Sequence, residues 1–327
     1  MNKLTKTRFS AVLLISDVFA LFCLMGNISV MTVWGFIGGT ALQMILAFPL
    51  AFSVRKGKSI EKCGKPVQIF FIIYLILWGG MIFSMLWNTS EVIYIPYENS
   101  GTWGKFTVSA ALGIVCLYMT AAGMKTLLRS SLIAAAAGGV CIVIVAVSAL
   151  TDSNFGNLKL SHSENFLNEF SKGIALSGSL GSFVLLLGNT EGDAVVNSMI
   201  YFSAKAFITA VILITSILLT GGIMEITDFP VVMSAHLSQP FPSQRIDSLF
   251  LIIFSVFGAF SAALQLALAV YLVKTISDAE KYISIIILSV SIASAFIFQG
   301  NSFQGIIPAI CILSALVIPL FSLRRKT

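Results

Sequence analysis

Long apolar runs separated by short polar segments are the feature that most constrains this chain. A helix needs about 20 consecutive apolar residues to cross the hydrocarbon core of a bilayer, and runs of that length recur throughout the sequence. The composition agrees with this pattern, because 57% of the 327 residues are hydrophobic and only 10% are charged. The mean hydropathy is +0.96, far above that of soluble proteins. We therefore predict an all-α integral membrane protein with no separate soluble domain.

Ten transmembrane spans are predicted, and together they form a single transmembrane domain over residues 1–327. They cover residues 8–27, 30–53, 66–88, 104–124, 128–150, 172–201, 204–223, 246–273, 281–298 and 303–322. The first run follows a basic flank, as the apolar core of a signal peptide does. Asp17 interrupts that run and no small-residue cleavage pattern ends it, so we expect it to remain a membrane helix.

The distribution of lysine and arginine predicts the orientation of the chain. With the N-terminus inside, 16 of the 20 basic residues fall at inner ends of the spans, and the outer side keeps Lys105, Lys159, Lys172 and Arg245. This bias predicts cytoplasmic termini and a position in an inner membrane. It also accounts for the net charge of +6, so no nucleic-acid partner is indicated. The histidines and cysteines have no metal-ligand spacing, and no cofactor is predicted.

The spans divide into two sets of five around an outer polar segment, residues 151–171. Because five is odd, the second set enters the membrane with the opposite orientation to the first. Residues 8–150 and 172–323 are therefore predicted to form two five-helix repeats of inverted topology. This arrangement recurs in secondary transporters, with discontinuous helices and a binding site near the bilayer midplane. Other ten-span folds would give the same count.

The stretch "LLLGNTEGDAVVNS", residues 185–198, places two acids and two glycines inside the sixth apolar run. As a cytoplasmic loop it would carry two acids and no basic residue, unlike the other inner segments. We therefore favour a helix broken at residues 188–193, midway between Lys172 and Lys205, with Lys205 at the inner surface. Backbone freed at that depth must line a cavity, and the small residues of "SGSLGS", 177–182, favour close helix packing or the approach of a ligand. The predicted binding residues of this segment are Gly188, Asn189, Thr190, Glu191 and Gly192.

Asp17, in the first span, is the second candidate. It lies nine residues beyond Arg8, which at about 1.5 Å per residue is roughly 13 Å from the inner boundary. An ionisable group at that depth costs at least about 2.5 kcal/mol to insert, which makes it a functional candidate. Asp17 and Glu191 are predicted to bind substrate and couple it to protons, and Tyr74 and Gln265 to line the same cavity. The alternatives are a structural Asp17, an ordinary loop acid at Glu191 and plain interhelical contacts at the other two.

Three short stretches carry a resemblance to a known family. They are "LLLGNTEG" with its Gly-x-x-Glu element, "SQRIDSLFLIIFSVFGAF" at 243–260, and "AAGMKTLLRSS" at 121–131. In these stretches, and in length and span count, the chain resembles the spore germination B-subunit family, the membrane subunit of nutrient germinant receptors. That family is related to amino-acid permeases of the APC type. Its first helix usually carries a Gly-x-Gly-Ile-Leu-x-x-Pro-like break, whereas the equivalent place here reads "SDVFALFCLMG".

The resemblance implies a LeuT-like core of ten helices that binds a small nutrient, typically an amino acid, in a membrane of an endospore-forming bacterium. It also implies assembly with an A-type subunit and a lipoprotein C-type subunit, and no enzyme activity. A proton-coupled secondary transporter of amino acids or related small metabolites is the alternative. A ten-helix exporter with unbroken helices also fits the composition, and "GNTEG" would then be a surface loop. A membrane-embedded enzyme is disfavoured, because no paired acidic metal motif, histidine cluster or nucleophile elbow is present.

Overall fold

A computed structural model of the protein describes residues 4–57, 63–94, 101–152, 155–158, 165–221, 228–238, 247–276, 282–298 and 305–324. Within these ranges the chain is helical, and extended backbone pairs only between Leu4 and Thr190. The helices are α1 (Lys6–Phe22), α2 (Val30–Arg55), α3 (Lys65–Tyr94), α4 (Gly101–Ala121), α5 (Met124–Asp152), α6 (Phe166–Ala175), α7 (Leu180–Leu187), α8 (Ala194–Thr220), α9 (Pro230–Leu237), α10 (Asp247–Ile276), α11 (Ile283–Phe298) and α12 (Ile306–Arg324), with a 3-10 turn at Phe155–Leu158.

Length and composition identify the helices that can cross a membrane. Among the described residues, α2, α3, α5, α8 and α10 are long and apolar enough, and the bent pair α6–α7 makes a sixth candidate. The helices α4, α11 and α12 are apolar but contribute shorter stretches. The all-helical membrane architecture therefore agrees with the prediction, whereas ten spans and the inverted repeat remain predictions.

The first helix, α1, lies at the centre of the molecule. It packs against α5, α8 and α10, and its residues are buried almost continuously from Phe9 to Phe22. It is unbroken over Lys6–Phe22, where the glycines and proline of the family pattern are missing. The chain then leaves the helix until Ser29, whose hydroxyl accepts hydrogen bonds from two backbone N–H groups in the first turn of α2.

The helix pair α6–α7 is interrupted at residues 176–179 and bends there by 50°. Gly178 makes room for the indole ring of Trp78 in α3, because a Cβ atom on this glycine would lie 1.9 Å from Cδ2 of the ring. Gly181 gives similar room to Tyr74, with a built Cβ 2.4 Å from Cε1 of its ring. The small residues of 177–182 therefore allow two aromatic side chains of α3 to reach the backbone at the bend.

The predicted break at residues 188–193 is wrong. That segment is a turn between α7 and α8, and α8 continues without interruption through residues 201–204, where the sixth predicted span ended. The error comes from Lys205, which was taken to mark the membrane surface but is buried inside α8. With Lys205 in the interior, the true interruption shifts toward α6, about ten residues earlier in the chain.

The turn at 188–193 lies at the end of the bundle that also holds the beginning of α1 and the end of α2. The backbone N–H of Leu4 donates to the carbonyl of Asn189 at 2.8 Å, and the carbonyl of Leu4 accepts from the N–H of Glu191 at 2.7 Å. Arg55, the last residue of α2, lies 3.4 Å from the carboxylate of Asp193. We call this side of the molecule the N-terminal end.

Candidate functional site

Asp17 lies near the middle of the bundle, as the sequence predicted. It is 8% exposed and stands 11 residues beyond Lys6, the first residue of α1. At about 1.5 Å per residue, this places it roughly 16 Å from the N-terminal end of that helix. A carboxylate at such depth must be paired or hydrogen-bonded, because burying an isolated ionised group is strongly unfavourable.

Lys205 of α8 is the charged partner of Asp17. Its Nζ lies 3.1 Å from Oδ1 of Asp17, and the lysine is 5% exposed. The same ammonium group donates to Oε1 of Gln43 in α2 at 3.2 Å and lies 5.9 Å from the centroid of the Tyr201 ring. The position predicted for Lys205, at the inner membrane surface, is therefore wrong. Instead, one lysine connects α1, α2 and α8 in the interior.

Two hydroxyl groups complete the shell around the carboxylate. Ser179, in the interruption between α6 and α7, donates to Oδ1 of Asp17 at 2.5 Å. Tyr201 of α8 donates to Oδ2 at 2.5 Å, and its hydroxyl lies 3.1 Å from that of Ser179. Both carboxylate oxygens therefore have donors, and the pair carries no net charge. We name Asp17, Gln43, Ser179, Tyr201 and Lys205 the charge-pair site.

A second polar group of residues lies beside the same interruption, on the side of α3 and α10. The hydroxyl of Tyr74 donates to the carbonyl of Gly178 at 3.1 Å, and the hydroxyl of Ser182 donates to Oε1 of Gln265 at 2.9 Å. Tyr74 and Gln265, two predicted site residues, therefore both lie at the interruption in α6–α7. The structure brings them to the break that contributes Ser179 to Asp17, and not to residues 188–193.

Three buried N–H donors near these two groups have no hydrogen-bond partner among the described residues. They are Nε2 of Gln43, Nε1 of Trp78 and Nε2 of Gln265. Native proteins leave few buried polar atoms unpaired, and such atoms typically meet an ordered water, an ion or a ligand. A water molecule or a solute with hydrogen-bond acceptors could therefore bind at these unpaired donors.

The cavity beside the charge pair is small in this structure. It has a volume of about 10 Å³ and is bordered by Asp17, Phe36, Thr40, Lys205 and further residues of α6 and α8. That volume is about the room that one water molecule needs. The structure therefore represents a closed arrangement, and a larger solute requires the helices around the pair to move apart.

The five binding residues predicted at 188–192 lie away from this cavity. Gly188, Glu191 and Gly192 are exposed, and Asn189 and Thr190 are half-buried. None of the five borders the cavity at Asp17. The Thr190 hydroxyl donates to the carbonyl of the last residue of α7, and Asn189 and Glu191 pair through their backbone with Leu4 at the N-terminal end. The exposure of Glu191 likewise corrects its placement at mid-depth.

Sequence reasoning missed Lys205, Tyr201 and Ser179. One signal was present for Lys205, because it stands in an apolar stretch that continues on both sides, but that position also suits a lysine at a helix end. Ser179 lies in the "SGSLGS" segment, whose packing and ligand-contact interpretations were both open. Tyr201 gave no signal, since a single tyrosine in an apolar helix is ordinary. Only the packing of α1 against α7 and α8 brings these side chains to Asp17.

The backbone is similar to that of a nucleobase-cation-symport-1 family transporter, solved in a closed conformation with bromovinylhydantoin bound. The TM-score is 0.61 at 11% sequence identity, and the match covers 98% of this chain and 76% of that chain. At this identity the similarity shows a shared fold and nothing about the solute or the activity. No protein-family model and no curated protein matches the sequence.

Proposed function

We propose that this protein binds a small zwitterionic solute, of the amino-acid type, between Asp17 and Lys205, and moves it across the membrane as a secondary transporter. The observation that carries the proposal is the buried ion pair beside a helix interruption, in a chain with a transporter fold. An ionisable residue inside a membrane protein commonly marks a substrate or ion pathway. Here two such residues of opposite charge lie 3.1 Å apart.

The chemistry of the pair fits a solute that carries both charges. An amino acid presents an ammonium group and a carboxylate, so it can take Asp17 and Lys205 as partners when the helices separate. Asp17 would then exchange the ammonium group of Lys205 for that of the solute, and Lys205 would exchange the carboxylate of Asp17 for that of the solute. Separation without such a solute would leave two desolvated charges unpaired, which is strongly unfavourable. The pair therefore favours opening when a zwitterion is present.

Proton coupling follows from the same geometry. A proton on the Asp17 carboxylate removes its attraction for Lys205, and it also weakens the acceptor for Ser179 and Tyr201. Either a proton or the ammonium group of the solute would therefore release Lys205 from Asp17, and because both use the same carboxylate they would occupy it at different steps of the transport cycle. A ligand can shift a conformational equilibrium only by its different affinity for the two states, and Asp17 supplies that difference.

Binding and flux measurements test this proposal with the purified protein in liposomes. Radiolabelled amino acids are offered under a proton gradient of either direction, and the matched amino-acid amides and decarboxylated amines serve as competitors that lack the carboxylate. We expect uphill uptake of at least one amino acid, weak competition by its amide and amine, and an affinity loss of about 30-fold or more in Asp17→Asn and Lys205→Gln. Lys125→Gln, an exposed lysine at the start of α5, is the control and should behave as the wild type.

Two results would contradict the proposal. If the amine and the amide compete as well as the amino acid does, the solute does not use both charges. If bromovinylhydantoin binds and no amino acid displaces it, the solute is a neutral ring and the amino-acid class is wrong.

The second candidate is the membrane subunit of a spore germinant receptor, which senses a nutrient and signals to partner subunits. It is supported by the three stretches at 121–131, 185–192 and 243–260 that resemble the germination B-subunit family. This candidate uses the same solute site but predicts saturable binding without uphill flux. It also predicts that A-type and C-type lipoprotein subunits copurify with the chain from spores, and their absence from the purified complex would count against it.

A further inference from the structure

A groove of about 480 Å³ lies between α1, α5, α8 and α10. It is separate from the charge-pair site, because no residue borders both the groove and the small cavity at Asp17. Its volume falls within the range of about 300–1,000 Å³ that is common for ligand sites. The groove is far larger than the cavity at the charge pair, so it has room for a ligand in the present arrangement of the helices.

The walls of the groove are graded from polar to apolar. Its polar side chains, Lys6, Thr7 and Ser10, all belong to the first turns of α1 at the N-terminal end. Farther along α1 the lining residues are aliphatic, and α5 contributes Ala136 and Gly139. Among the described residues, no acidic side chain lines it. A pathway for a charged solute would need polar groups along its length, so this gradient indicates an amphiphile instead.

Basic side chains extend the polar end of the groove along α5. Lys125 and Arg129 are exposed, and they precede the groove residues Leu132, Ala136 and Gly139 at alternating spacings of four and three residues. Residues at such spacings share one face of a helix. The face of α5 that borders the groove therefore begins with two cations and continues with small apolar residues.

The groove is accessible from the side of the bundle. Leu132 of α5 is 39% exposed and Ile200 of α8 is 43% exposed, and both line it. In a membrane protein, apolar side chains exposed on the outer surface of the helices face lipid. An occupant can therefore enter laterally from the bilayer without passing the charge-pair site.

We propose that this groove binds one acyl chain of an anionic phospholipid, with its phosphate beside Lys6 and Arg129. The apolar walls accept the chain, and the cations at the N-terminal end attract the headgroup. Basic pockets between membrane helices on the cytoplasmic side recognise anionic headgroups in this way, and that side is where the sequence places the N-terminus. The lipid site is independent of the solute proposal, since it uses other residues.

Photocrosslinking in nanodiscs tests the site with two lipids that share the same photoactivatable acyl chain, phosphatidylglycerol and phosphatidylcholine. We expect phosphatidylglycerol to label peptides of α1 and α5 preferentially. Gly139→Leu should abolish this labelling, because a Cβ built at that glycine meets nothing within 4 Å and the position lines the groove, so the leucine side chain has open space to occupy there. Ala137→Leu, at an exposed position of α5 that does not line the groove, is the matched control and should label as the wild type.

A second pair of variants tests the contact between the basic residues and the lipid headgroup. Arg129→Gln should lower the preference for phosphatidylglycerol about fivefold, whereas Lys65→Gln, an exposed lysine at the start of α3, should leave it unchanged. Equal labelling by both lipids would overturn the anionic class. Unchanged labelling in Gly139→Leu would show that the groove does not hold the lipid chain, whether or not this variant still takes up solute.

Discussion

The two ends of α7 differ in a way that explains the site. Before α7, residues 176–179 interrupt the helix in the interior, and Ser179 donates to the carboxylate of Asp17. After α7, residues 188–193 form a turn that contains two acids, and its residues Gly188, Glu191 and Gly192 are exposed. The second segment has more polar residues, yet the first is the one that meets a buried charge.

The comparison shows that polarity within an apolar run does not measure depth in the bundle. The turn at 188–193 is polar because solvent reaches it, and Gly192 adopts a φ of 86°, a left-handed conformation that glycine tolerates best. Residues 177–179 of the interruption are small because two aromatic side chains of α3 approach the backbone there. Its polar hydroxyl groups are few, and each has a specific partner.

Lys205→Met should give the largest effect on stability, because it removes the partner of the buried carboxylate to which the interruption is tied. Breaking a buried ion pair by deleting one side typically costs about 3–5 kcal/mol. Thermal unfolding of the detergent-solubilised protein measures the change. The double variant Asp17→Asn with Lys205→Met should recover part of the loss, since no uncompensated charge remains.

The matched control for this variant is Lys125→Met, at an exposed position whose substitution should fall within about 0.5 kcal/mol of the wild type. If Lys205→Met is as mild as this control, or if the double variant is no more stable than the single one, the ion pair does not hold the two helices together.

Substitution of the glycines at the two ends of α7 separates their roles. Gly178→Ala forces a Cβ into the Trp78 ring, and overpacking of this kind costs about 1–3 kcal/mol. Gly192→Ala meets nothing within 4 Å but keeps an unfavourable positive φ, which costs about 1–2 kcal/mol. Only Gly178→Ala should also weaken solute binding, because it displaces the segment that contains Ser179.

Unfolding and solute binding are compared for these two variants in the same preparation. A Gly178→Ala protein that binds solute as the wild type does would show that the interruption is structural. Trp78→Leu placed in the Gly178→Ala background should recover stability, since it removes the ring that the new Cβ meets.

Arg55→Gln should give the smallest effect. Arg55 lies 3.4 Å from Asp193, but the two side chains are 58% and 33% exposed, and an ion pair in such a setting contributes at most about 1 kcal/mol. We expect a small loss of stability that disappears at high salt, measured by the same unfolding assay. A large loss would mean that the turn is more strongly coupled to the bundle than its exposure indicates.

The positions of most helices were predictable from the sequence, because each needs a long apolar run. The buried position of Asp17 was predictable too, since an acid nine residues inside a basic flank cannot reach the surface of a helix end. The position of Lys205 was not predictable. A long flexible lysine at a helix end reaches the membrane surface. The local sequence around a lysine that is buried against an acid can be the same, so it does not distinguish the two positions.

By itself, the sequence determined an all-helical membrane protein with a carboxylate in its interior, because apolar runs of this length and a solitary internal acid have few other outcomes in a bilayer. Only the tertiary structure decided which residues satisfy that acid. Ser179, Tyr201, Lys205 and Asp17 come from α1, from α8 and from the interruption before α7, and they are separated by up to 188 residues along the chain. Pairing across such distances depends on how helices pack, and the local patterns of a sequence do not record it.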